Sequence, residues 1–186
     1  MRQIRNSVFE TNSSSTHSIA IPKSCGKISS IAFQIDEFGW GFRVADPADY
    51  FYTAIYETAS SMDEVNDRLS RLKEILEDND IEYAFEEVDC EERDGYISFN
   101  GYIDHGYELK DFVDGLLNNG DKLVRFLSCG LVFTGNDNSD TEARCFLERN
   151  EEFLDEYDWN SKTSYKIKNP YYMSDHEDYE WYWKGN

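Results

Sequence analysis

Thr16-His-Ser-Ile-Ala-Ile21 is the stretch on which the fold turns. Polar and apolar positions alternate along it, the period of a β-strand with two unlike faces. The same alternation runs through Gln3-Ile-Arg-Asn-Ser-Val8. Between them lies Phe9-Glu-Thr-Asn-Ser-Ser-Ser15, rich in residues that favour turns through local side-chain hydrogen bonds. The spacing predicts an N-terminal β-hairpin over residues 1–22, two short strands joined by a polar loop.

Downstream the period changes. Residues 28–35 suggest a further strand. Asp46-Pro47 is a helix start, a capping acid before proline at the first helical position. Phe51, Tyr52, Ile55, Tyr56 and Ala59 then recur at helical spacing. Ser61-x-x-Glu64 forms a capping box for a second helix with Val65, Leu69, Leu72, Ile75 and Leu76 inward. Glu82–Val88 and Tyr96–Ile103 read as a strand pair around the acidic turn Cys90–Gly95. Helices are expected over Leu109–Asn118 and Lys122–Ser128, a strand over Leu131–Thr134, and a helix from the capping box at Ser139 to about Tyr157. The whole predicts one α+β domain over residues 1–186, a mostly antiparallel sheet packed by about four helices. Residues 23–186 form its acidic body.

Composition narrows the function. The 186 residues are 40% hydrophobic and 16% aromatic, enough for a real core. Net charge is −20, which sets the bulk of the surface against nucleic-acid phosphates. The charge is uneven. Residues 1–30 carry Arg2, Arg5, Lys23 and Lys27 against Glu10 alone, a balance of +3, and the remaining 14 bases and 37 acids leave −23. A basic N-terminal element sits on a very acidic body.

No signal-peptide pattern opens the chain and no apolar run reaches a membrane span, so a cytoplasmic protein without membrane contact is expected. Cys25, Cys90, Cys129 and Cys145 are far apart with no C-x-x-C pair, and free thiols are expected.

Phosphate-binding glycine loops are missing, and Gly39-Trp-Gly41 is a turn. His17, His105 and His176 stand apart, without zinc-ligand spacing, and no metal or cofactor is expected. Asp104…Glu108-Leu-Lys110 faintly resembles a nuclease triad. The acidic blocks Glu77–Asp94 and Glu151–Asp158, with Tyr83, Phe85, Phe153 and Tyr157 among them, suit either a phosphate mimic or ordinary solubility.

The N-terminal cluster has parts the rest lacks. Cleavage of RNA at its own 2′-hydroxyl needs a base, an acid and a cation for the developing charge, and no metal. His17 and Glu10 can supply the acid–base pair and Arg5 the cation. Arg2, Asn6, Ser7, Thr11, Asn12, Ser13, Ser14, Ser15 and Thr16 can donate hydrogen bonds or charge to RNA. The bland alternative is a polar hairpin tip with His17 exposed and idle.

Arg5-Asn-Ser-Val-Phe-Glu-Thr-Asn-Ser-Ser-Ser-Thr-His-Ser18 resembles a signature of small proteins from phages and other mobile elements of Gram-positive bacteria. Among these, the chain is similar to the anti-CRISPR proteins against type II-A Cas9 that act on the guide RNA. The resemblance implies a Cas9 inhibitor that engages Cas9 carrying guide RNA and induces truncation of the guide through its N-terminal hairpin. It implies bacterial host cytoplasm as the site of action. Whether the hairpin cuts the RNA or positions it stays open. The alternative is a non-catalytic inhibitor whose acidic surface competes with nucleic acid for Cas9 or another host defence protein.

Overall fold

The structure, a computed structural model, describes residues 15–39, 41–136, 145–146, 148–174 and 176–184. The strands are β1 (Ser15–Pro22), β2 (Ser30–Phe33), β3 (Glu37–Phe38), β4 (Arg43–Ala45), β5 (Glu82–Phe85), β6 (Cys90–Arg93), β7 (Tyr96–Phe99), β8 (Tyr102–Ile103), β9 (Leu131–Asn136), β10 (Phe153–Asp158), β11 (Thr163–Lys168) and β12 (Tyr179–Lys184). The helices are α1 (Pro47–Glu57), α2 (Met62–Asp78), α3 (Lys110–Leu117) and α4 (Gly120–Cys129). The architecture is α+β with mostly antiparallel pairing, as the periodicities predict.

The main sheet has the order β12-β1-β9-β4, all antiparallel. β1 takes β12 on one edge, from His17 opposite Lys184 to Pro22 opposite Tyr179. It takes β9 on the other, from Ser15 opposite Asn136 to Ala20 opposite Leu131. Residues 3–8, the first half of the expected hairpin, lie outside the described residues.

α1 begins as its sequence requires: Asp46 accepts the Ala48 N–H at 2.8 Å and Pro47 occupies the first turn. It is apolar on more than one face, and Tyr50 through Tyr56 are all buried. Such a helix belongs inside a protein, not on its surface. The other helices and the strands β2, β7, β8 and β9 pack around it. α2 starts at Ser61, whose hydroxyl accepts the Glu64 N–H, and turns Val65, Leu72, Ile75 and Leu76 into the same core.

Three expectations need correction. The strand Glu82–Val88 does not pair with Tyr96–Ile103. Its β5 portion runs parallel to β2, and the crossover between them contains α1 and α2. The hairpin at the acidic turn is instead β6 with β7 around Asp94-Gly95, where Gly95 takes the left-handed backbone (φ 78°) that suits glycine.

The helix expected to reach Tyr157 has given way to a strand by Phe153. Phe153 and Tyr157 have helical spacing, but β10 pairs antiparallel with β11 in a two-stranded ribbon. Thr163, Tyr165 and Ile167 of β11 are good strand formers, and the ladder satisfies the β10 backbone. The capping box itself, residues 139–142, lies outside the described residues.

The third concerns cysteine. Cys25 and Cys129 form a disulfide across 104 residues of sequence. Linear spacing cannot reveal such a pair. α4 packs on β1 and Arg125 donates to the Pro22 carbonyl at 3.0 Å, which brings the helix end to the loop after β1. Among the described residues no helix is long and apolar enough to cross a membrane.

Candidate functional site

Strand alternation puts His17, Ile19 and Ile21 on one face of β1 and Ser18 and Ala20 on the other. Both faces are covered, and residues 17–21 are all buried. On the first face Ile19 and Ile21 join the core around α1. On the second, Arg149 Nη1 donates to Ser18 Oγ at 3.2 Å, with the guanidinium over the Phe146 ring.

His17 is fully enclosed. Its Nε2 lies 2.8 Å from the Asp104 carbonyl oxygen and its Nδ1 3.0 Å from the Tyr50 hydroxyl. A carbonyl can only accept, so Nε2 carries the proton and donates. In the neutral ring Nδ1 then accepts from Tyr50. Burial pushes the Tyr50 phenol well above its ordinary range, which keeps it a neutral donor.

The Asp104 end is fixed in turn. Its N–H donates to the Phe38 carbonyl at 2.9 Å, and its carboxylate accepts from the Tyr102 hydroxyl at 2.7 Å. Gly39 packs directly on it: a Cβ there would stand 2.5 Å from the Asp104 Cβ. Phe38 meets the Tyr50 ring edge-on at 5.1 Å, and Arg43 covers Phe38 while paired with Asp36.

This arrangement holds the start of β1. It does not present an imidazole to a substrate, since both ring nitrogens are engaged by α1 and the β8 end. Ser15 and Thr16 continue β1 opposite Asn136 and Gly135. Arg2, Arg5, Asn6, Ser7, Glu10, Thr11, Asn12, Ser13 and Ser14 lie outside the described residues. Tyr50 and Asp104 as partners of His17 had no signal in sequence, because they come from elements 33 and 87 residues away.

Two of the nuclease-like residues have other partners. Asp104 is occupied by Tyr102, and Lys110 pairs with Glu64 and, at 3.8 Å, Asp114. Among the described residues no group of His, Cys, Asp and Glu is arranged to hold a metal ion. A cleft of about 380 Å³ opens beside β2 and the start of α1, but its carboxylates serve the backbone. Asp46 caps α1 and Asp49 accepts the Gln34 N–H at 2.8 Å.

The acidic blocks divide. Tyr83 and Phe85 pack against the core, whereas Phe153 and Tyr157 are exposed. Comparison with known protein families, curated proteins and solved structures finds no match to this chain.

Proposed function

We propose that the protein is an anti-CRISPR inhibitor of type II-A Cas9 that induces Cas9-dependent truncation of the guide RNA in the bacterial host cytoplasm. The observation that carries this reading is the junction at His17. The signature Arg5–Ser18 ends inside the main sheet, where Tyr50 and the Asp104 carbonyl anchor it. A segment that must address RNA gains precision from being rooted on a rigid strand. Its Arg2 and Arg5 are set against a body of the opposite charge.

On this reading His17 is a positioning residue, and Glu10, Arg5 and Arg2 are the groups that meet RNA. The acidic body docks on basic Cas9 surface. The decisive experiment incubates Cas9, guide RNA and the protein and resolves the guide on a denaturing gel. Shortened guide is expected, with Arg5→Ala and Glu10→Gln reducing it. Inhibition of Cas9 with an intact guide overturns the reading.

A second reading, a non-catalytic nucleic-acid mimic, is favoured by one observation. Glu74, Glu77, Asp78, Glu82, Glu87 and Asp89 are all exposed along α2, β5 and the segment after it. Charge reversal at Glu87 and Asp89 then abolishes inhibition, whereas Arg5→Ala does not.

A further inference from the structure

The β10–β11 ribbon has a face that nothing above uses. Its register places Phe153, Asp155 and Tyr157 across from Lys168, Lys166 and Ser164, so these six share one side. The opposite side carries Leu154 opposite Ile167, and Leu154 is buried against the body. The first side therefore faces outward. Phe153 is 49% exposed and Tyr157 43%, and Trp159 at the ribbon tip is 82% exposed. Tyr157 and Trp159 meet edge to face with centroids 4.9 Å apart.

The ribbon's root is firm. Buried Asn169 donates through Nδ2 to the carbonyls of Cys145, Glu148 and Glu151, and its N–H donates to Glu152. The exposed aromatics are thus held out on an anchored hairpin.

On this face Lys166 and Lys168 stand against Asp155 alone, inside a protein of charge −20. We infer that this face binds single-stranded RNA, with bases stacked on Phe153, Tyr157 and Trp159 and phosphates met by Lys166 and Lys168. The choice of RNA over DNA rests on the guide-RNA reading above. The chemistry does not.

Three arguments favour a nucleic acid over a protein partner. Flat, unburied aromatic rings are sequence-tolerant platforms for bases, each worth about 1–3 kcal/mol. The neighbouring cations are lysines, which protein interfaces exclude from their cores. Lys166 and Lys168 are two residues apart on one strand, about 7 Å, comparable with successive phosphates of an extended strand. The acidic body opposes such binding at long range and Asp155, across from Lys166, opposes it on the ribbon itself, but the long-range field decays over about 8 Å at physiological salt. Contacts at the ribbon act inside that distance.

The test uses the full-length protein without Cas9 and a fluorescein-labelled oligouridylate, read by anisotropy. Saturable binding is expected, weakened at least about tenfold by Tyr157→Ala with Trp159→Ala. Lys166→Glu with Lys168→Glu is expected to weaken it and flatten its salt dependence. Unchanged thermal melts establish that these surface variants fold. Absence of binding, or equal binding by all variants, overturns the inference. So does a ribbon that, instead of RNA, captures a second copy of the chain in sedimentation. Tighter binding of oligothymidylate overturns the choice of RNA. Guide truncation is scored in a separate reaction, so failure of the ribbon and failure of the guide-RNA reading are told apart.

Discussion

The hydroxyl of Tyr50 stands 3.0 Å from Nδ1 of His17, and neither side chain reaches solvent. The contact joins an inner strand of the sheet to the helix at the middle of the core. It also fixes the ring whose Nε2 holds the Asp104 carbonyl. His17→Ala strands a buried hydroxyl and a buried carbonyl, each costing about 1–3 kcal/mol when left unsatisfied. Urea unfolding is expected to shift to a lower midpoint, and Tyr50→Phe, which removes one of the two bonds, to shift it less. An unchanged midpoint for His17→Ala refutes the anchoring role. On the proposed function, truncation activity falls in proportion to the lost stability and returns at lower temperature if the ring positions the segment and takes no proton.

Arg68 is the polar keystone on the opposite side of α1. It is 5% exposed and reaches Asp114 at 2.8 Å, Glu64 at 3.0 Å, the Thr58 hydroxyl at 2.8 Å and the Ile55 carbonyl at 3.3 Å. Three helices meet at this one guanidinium. Truncation to alanine leaves the acceptors facing one another, and a loss of about 3–5 kcal/mol is expected. Arg68→Met, which refills the volume, should lose less. Chemical denaturation of the two variants side by side measures the difference.

Stability at low pH depends on Glu64. Burial opposes its ionisation, but Lys110, the Ser60 N–H and hydroxyl, and Arg68 outweigh it and hold the carboxyl down to about 2. The folded value lies below the ordinary 4.5. The contribution is therefore present above that ordinary value and is lost as pH falls from there through about 2. Glu64→Gln is expected to flatten the acid limb of a plot of unfolding midpoint against pH. An identical limb in the variant contradicts this.

The alkaline limb has the opposite origin. Burial raises the phenols of Tyr50, Tyr52 and Tyr56. A raised folded value means the folded state holds protons that the unfolded chain releases near pH 10. Their contribution is complete below about pH 10 and declines above it. Absorbance at tyrosinate wavelengths should show these phenols ionising only as the protein unfolds.

Cys25–Cys129 closes a loop of 104 residues. The chain-entropy picture assigns a loop of that size up to about 4–5 kcal/mol. Dithiothreitol or Cys25→Ser is expected to lower the melting temperature, and melts that coincide with and without reductant are the opposing result. The bond also makes the protein more robust outside reducing cytosol than within it.

Sequence alone determined the elements α1, α2 and β1. Capping at Asp46 and Ser61 and the apolar spacing of α1 and α2 are encoded within a few residues, because helix hydrogen bonds are local. The period of Thr16–Ile21 likewise announced a strand, and the charge count set a basic start against an acidic body. Tertiary structure decided the partners. That β1 lies between β9 and β12, that β5 joins β2, and that β10 is a strand follow from ladders closed across long separations. His17 looked like a chemical group on an accessible hairpin, and its enclosure came from Tyr50 and Asp104. Burial is a property of what packs around a residue, and no spacing along the chain records it.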